Sequence, residues 1–215
     1  YHLGEYSRVE QSFDDIDKVL LFNKIGTLKV LEFCRKRGCK LVYAGSSTKF
    51  GDGGIGKDQS PYAWSKSSNT ELIINYGNWY NLDYAIVYFY NVYGKREIRT
   101  GKYATLIALF TEKMKKREPL TVVSPGTQQR NFTHIDDIVD GLLLVGKKGK
   151  GDGYGIGSPE TYTVLEIAQL FGGEIQMLPE RKGNRMTAEV VTQKTEALGW
   201  KAKRHIKEFI EEIVN

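Results

Sequence analysis

The chain has 215 residues, 31 Lys and Arg against 26 Asp and Glu for a formal net charge of +5, and 40% hydrophobic residues. This suits one large or two small folded units and excludes a disordered tail or a collagen-like or mucin-like bias. No run approaches the roughly 20 apolar residues of a membrane span, and the start, Tyr1-His2-Leu3-Gly4-Glu5, has neither the basic head nor the apolar core of a signal peptide.

From Phe13 to Arg37 apolar residues recur at helical spacing, and Gly38 supplies the stop. Lys40 to Ala44 is a short apolar run of the kind that forms a buried parallel strand. A glycine-rich connector, Phe50 to Pro61, leads to a helix over Tyr62–Tyr80 and a strand over Tyr84–Tyr90. Helices alternating with buried strands imply an α/β fold, a parallel sheet wound with helices. Beyond Gly94 the elements shorten. A helix is expected over Tyr103–Arg117, a strand over Leu120–Val123, a helix over Ile135–Val145, a strand in Gly153–Ser158, a helix over Val164–Phe171, a strand over Glu174–Leu178 and a closing helix from His205. This part reads as a smaller α+β unit.

Cys34 and Cys39 match no zinc or redox spacing and read as reduced, cytoplasmic thiols. His2, His134 and His205 are scattered, so no metal site is expected. The isoelectric point near 9.0 raises a nucleic-acid reading. However, the basic runs Arg35-Lys36-Arg37 and Lys113–Arg117 are short and sit at helix ends, so they read as surface charge, with neither nucleic acid nor membrane as partner.

The pattern richest in chemistry is Tyr62-Ala63-Trp64-Ser65-Lys66, preceded by Ser46-Ser47-Thr48 at a strand end. Tyr62 and Lys66, four residues apart, share a helix face. A phenol of ordinary pKa about 10 is a poor base at neutral pH, and a nearby ammonium favours its phenolate. A hydroxyl at the strand end, where open α/β sheets bind ligands, completes a Ser/Tyr/Lys set able to exchange protons with a sugar alcohol. Gly51 to Gly56 formally satisfies G-x-G-x-x-G, but it lies between this strand and this helix and reads as a connector.

SSTKFG, SPYAWSK, YNVYGKRE, QQRNFTHIDD, LPERKGNR and ALGWKAK follow in an order that resembles the extended short-chain dehydrogenase/reductase family, specifically its NAD-dependent, UDP-glucose 4-epimerase-like epimerases and dehydratases. The resemblance implies a Rossmann-like doubly wound parallel sheet with a smaller α+β substrate-binding domain. The expected division is residues 1–94 plus about 128–148 for the NAD-binding domain, and about 95–127 plus 149–215 for the nucleotide-sugar domain. It implies NAD as cofactor, with Ser46, Tyr62 and Lys66 as catalytic residues; Tyr62 and Lys66 would also contact the cofactor, Lys66 holding the nicotinamide ribose and lowering the Tyr62 pKa. Ser47, Asn91, Arg130 and Arg181 would bind substrate, the arginines by gripping phosphate oxygens in a bidentate way. The resemblance joins the family pattern after roughly its first three βα units, so the family's Gly-rich dinucleotide turn would lie upstream of Tyr1.

The departures sort the chemistries. Family dehydratases place Asp-Glu after the catalytic hydroxyl residue, where this chain has Ser47 and Thr48, so C4 epimerisation of a nucleotide hexose through a transient 4-keto sugar is expected instead. Tyr88 stands where arginine is usual, Asn131 and Asn184 where aspartate is common, and the Ser46 to Tyr62 connection is short. The alternatives are an NAD-dependent reductase or decarboxylase on a nucleotide sugar, and a truncated, inactive binding or assembly module. The resemblance also implies a homodimer formed through the helices near Phe13–Arg37 and Tyr62–Tyr80.

Overall fold

The computed structural model describes residues 1–101, 103–180 and 189–214, with backbone alone for 51–55. It divides into two compact units, and the first comprises Tyr1–Phe89, Val139–Ile156 and Val191–Trp200. Strand β1 (Leu41–Ala44) is buried along its whole length, as a strand covered on both faces must be. It pairs in parallel with β2 (Tyr84–Phe89), which pairs in parallel with β7 (Gly151–Ile156) on its other side. His2 adds one parallel bridge beyond β1, donating from its N–H to the Val42 carbonyl at 2.8 Å.

The helix expected over Phe13–Arg37 is built from α1 (Ile16–Val19), a six-residue π-helical stretch (Leu20–Ile25) and α2 (Gly26–Arg37). Gly38 ends it at φ 62°, a left-handed conformation that glycine adopts at little cost. Helix α3 (Pro61–Tyr80) starts where Ser60 accepts a hydrogen bond from the Ala63 N–H at 3.0 Å and Pro61 fills a position needing no donor. Leu31, Tyr43, Ile73, Ile86 and Tyr88 form the core of this unit. The glycine-rich connector differs from the open loop expected: Ser47–Asp58 coils into 3-10 turns, headed by Ser46, whose hydroxyl accepts from the Thr48 N–H at 3.3 Å.

The second unit comprises Tyr90–Ile138, Gly157–Val190 and Lys201–Asn215. Among the described residues it holds three strand pairs: β3 (Val92–Tyr93) with β6 (Thr133–His134), β4 (Leu120–Val123) with β9 (Ile175–Leu178), both parallel, and β5 (Gln129–Asn131) antiparallel to β8 (Thr161–Thr163). Helices α4 (Leu106–Lys116), α6 (Val164–Phe171) and α8 (Ile206–Val214) surround an aromatic core that includes Tyr93, Phe110, Phe132, Phe171 and Phe209. A reciprocal capping box between Thr163 and Glu166 starts α6.

Helix α5 (Ile135–Lys148) begins in the second unit and enters the first at Val139, and α7 (Gln193–Ala197) belongs to the first. The boundaries thus differ from those read in the sequence. Gly151–Ile156 finds its partner in β2, 60-odd positions upstream, and that pairing draws it into the sheet-bearing unit. Among the described residues, no helix is long and apolar enough to cross a membrane.

Candidate active site

Three of the predicted site residues meet at the carboxyl end of β1, within the first unit. Gly45 follows the strand and donates to the Val87 carbonyl at 2.7 Å, which aims the next residue, Ser46, off the sheet edge. Its place is set by packing: a Cβ there would lie 2.5 Å from the ring of Tyr88. The first turn of α3 presents Tyr62, whose hydroxyl donates to Ser46 Oγ at 3.3 Å. Ser46 Oγ also accepts from the Thr48 hydroxyl at 2.9 Å. One turn later Lys66 points inward, its ammonium donating to the Ala44 carbonyl and to the carboxylate of Glu5 and lying 4.6 Å from the Tyr43 ring centre.

The electrostatics differ from the sequence reading. Burial pushes the Tyr62 phenol above its ordinary value and the Glu5 charge adds to this, while the Ser46 hydrogen bond and Arg8 act against it. Burial also pushes Lys66 below the ordinary lysine value, with Glu5 opposing. The ammonium expected to favour the Tyr62 phenolate is instead committed to Glu5 and Ala44. The resting phenol is therefore neutral at physiological pH, loaded with its proton.

Glu5 and its surroundings were not singled out from the sequence. The Glu5 side chain is 3% exposed and Lys66 7%, so the ion pair is buried. Thr27 donates to Glu5 Oε1 at 2.6 Å, Asn69 Nδ2 at 3.0 Å and the Tyr43 hydroxyl at 3.2 Å. Because Thr27 spends its proton on Glu5, it accepts from His2 Nε2 at 2.9 Å, which fixes the protonated nitrogen of that ring. The π-helical stretch belongs to the same assembly. It turns the buried Asn23 inward, where its Oδ1 accepts from the Tyr6 N–H at 2.7 Å, its Nδ2 donates to Ser65 Oγ at 2.8 Å, and its backbone carbonyl accepts from Asn69 at 2.6 Å. One sequence signal existed: the uninterrupted polar run Ser65 to Thr70 in mid-helix, which includes residues an apolar contact face would not carry.

The remaining predicted residues are more dispersed. Ser47 is partly buried at the start of the 3-10 segment. Asn91 and Arg130 lie in the second unit. Asn91, at φ 31°, donates from Nδ2 to the Asn131 carbonyl at 3.0 Å, and Arg130, on β5, donates to the Gln129 carbonyl at 2.7 Å. Arg181 and Asn184 lie outside the described residues. Tyr88 is wholly buried and donates to Asp152 Oδ1 at 2.6 Å, while Lys49 bonds the other oxygen at 2.5 Å. A cavity of about 760 Å³ within the second unit, lined by Tyr93, His134, Arg204 and Phe209 among others, contains none of the predicted site residues.

A hydroxyl pair at a parallel strand end, with a buried lysine one helical turn away, is an arrangement for proton exchange with an alcohol or ketone. The chain as a whole is similar to known proteins in sequence and in fold. A Methanocaldococcus jannaschii protein named "Putative UDP-glucose 4-epimerase" is 31% identical over 209 residues, 90% of this chain and 68% of that one. UDP-glucuronic acid decarboxylase 5 of Arabidopsis thaliana is 27% identical over 212 residues, 89% of this chain and 61% of the relative. The structure of UDP-glucose 4-epimerase from Thermotoga maritima with UDP-glucose matches with a TM-score of 0.91 and 26% identity, covering 99% of this chain and 74% of that one. The chain thus spans only part of each of these proteins. Residues 1–157 match the NAD dependent epimerase/dehydratase family, and with the Rossmann-type parallel sheet in place the chain belongs to that family.

Proposed function

We propose that this chain carries the proton-handling and substrate-side machinery of a nucleotide-sugar 4-epimerase. The observation that supports it most is the Tyr62–Ser46 hydroxyl contact at the end of β1, with Lys66 one turn further along α3. The residues present fit the nicotinamide ribose of NAD: an ammonium has three donors, and Lys66 uses one on Glu5 and one on Ala44. Bound NAD supplies the hydride acceptor and donor for C4 of the sugar.

This chain supplies the protons. Tyr62 first releases its resting proton to water; as the phenolate its Oη takes the proton of the 4-hydroxyl and, neutral again, returns it, and Ser46 Oγ hydrogen-bonds the same sugar oxygen. The resting, neutral Tyr62 is the form that returns a proton to a 4-keto oxygen. Ser47, Asn91, Arg130 and Arg181 serve as contacts to the nucleotide sugar; Asn91 keeps Oδ1 as an acceptor while Nδ2 holds Asn131. The setting is the cytoplasm, in keeping with Cys34 and Cys39 being free thiols.

We infer a homodimer through the first-unit helices. Leu21, Phe22, Ile25 and Phe33 on the first helix and Trp64 and Trp79 on α3 are each at least 44% exposed, apolar area that a second copy would cover.

The test is incubation with NAD and a panel of UDP- and dTDP-hexoses, followed by NMR of the sugar. Appearance of the C4 epimer, lost in Tyr62→Phe, is the expected result; no epimer from any of them, or undiminished turnover by Tyr62→Phe, overturns the reading. The decarboxylase relative supports a second reading, distinguished in the same panel by release of carbon dioxide from UDP-glucuronate.

A further inference from the structure

Glu5 is the most deeply buried acidic side chain at the site, and its setting is built rather than incidental. Oε1 accepts from Thr27, Asn69 and Tyr43, and Oε2 takes the Lys66 ammonium. The donors come from three different elements, α2, α3 and β1, so the carboxylate is fixed from several sides. Stability alone is a weak reason for such a pair, because two apolar side chains in the same space commonly serve as well. A charge held rigidly beside a proton-exchanging phenol has a chemical consequence.

We propose that Glu5 is a positioning residue for Lys66: its carboxylate draws the ammonium against the Ala44 carbonyl and neutralises the positive charge that Tyr62 would otherwise face. The proposal rests on the reading of Ser46, Tyr62 and Lys66 as a proton-exchanging set and adds a residue that sets the protonation state of that set. The charged and titratable groups facing Glu5 are His2, with Nε2 3.9 Å away, Lys24, Tyr43, Lys66 and Tyr62, and Arg8 acts on Tyr62 from the other direction. Glu5 is the negative charge facing this group, and it adds to burial in holding the phenol protonated, in the direction already noted for Tyr62.

The test is a tyrosinate absorbance titration of the 215-residue chain, with the Tyr62 contribution taken as the difference from Tyr62→Phe. Glu5→Gln keeps the shape and a hydrogen bond to Lys66 but removes the charge, and the Tyr62 transition moves to lower pH; Glu5→Asp restores the charge and moves it back towards the original position. An unmoved transition in a cooperatively folded Glu5→Gln chain overturns the proposal. The unmodified chain carries a second measurement. In a lysine-selective nitrogen NMR spectrum, Lys66 gives a slowly exchanging ammonium signal, absent in Lys66→Met; rapid exchange of that ammonium with water overturns the proposal. Neither readout requires turnover, so an inactive chain that shows the titration shift counts against the epimerase reading and in favour of this one.

Discussion

Tyr62 and Ser46 touch through their hydroxyls, 3.3 Å apart, and thereby join the first turn of α3 to the end of β1. Removing the phenolic oxygen leaves the fold intact and deletes the proton carrier. Tyr62→Phe is expected to lower kcat by roughly 10²–10⁴-fold, with Ser46→Ala losing less because Tyr62 stays in place. Steady-state rates of the proposed epimerisation, measured on the unmodified chain and both variants, check this.

The buried Glu5–Lys66 pair gives a stability prediction. Lys66→Met leaves a carboxylate uncompensated in the interior and is expected to cost about 3–5 kcal/mol. Adding Glu5→Leu removes the stranded charge and recovers part of that loss, so the two changes are strongly non-additive. Urea unfolding of the two single variants and the double variant measures the coupling.

Acid should destabilise the chain before most carboxylates titrate. Burial holds His2 and His134 below the ordinary histidine value of 6.5. The unfolded chain therefore binds protons at a higher pH than the native one, so the stability contribution is present above 6.5 and is lost as pH falls below it. The exposed His205, raised by its hydrogen bond to Glu160, runs the other way and is weakened by solvent. Urea midpoints between about pH 7 and 5.5 should fall on acidification, and the slope should flatten in a His2→Gln/His134→Gln variant.

Gly45→Ala should be destabilising, because the new methyl meets a Tyr88 ring that cannot retreat from its bond to Asp152. The expected cost is about 1–3 kcal/mol, typical of overpacking. Thermal unfolding checks it, and a Tyr88→Ala background, which removes the opposing ring, should abolish the difference between Gly45 and Ala.

Self-association is open to a direct measurement. Phe22 is 50% exposed and Trp79 60%, and a charge on either face should disrupt a dimer built on these helices. Sedimentation of the unmodified chain at twice the monomer mass, reduced to the monomer in Phe22→Glu/Trp79→Glu, is the expected pattern.

Local periodicity made the principal helices and strands readable. Leu120–Val123 and Val164–Phe171 fall where the sequence placed them, and β1, β2, α3 and α4 differ by a few residues at their ends. The two-residue strands Val92–Tyr93 and Thr133–His134 are too short to show a period, and their pairing depends on a contact 41 positions away. The same holds at the site. Tyr62 and Lys66 were visible because helix geometry fixes their spacing, whereas Glu5 lies 61 positions from Lys66 and only the folded chain brings them together. The upward push on the Tyr62 phenol comes first from its burial, with the Glu5 charge adding to it, and neither could be read from the helix alone.

The clamp formed by Lys49, Asp152 and Tyr88 separates two jobs along the connector that follows Ser46. Upstream of Lys49 the chain is tied to the sheet, and at Ser60 it is tied again to the start of α3. The span between those two moorings can change in length and composition while Ser46 and Tyr62 stay registered. It is the natural place to graft a longer segment.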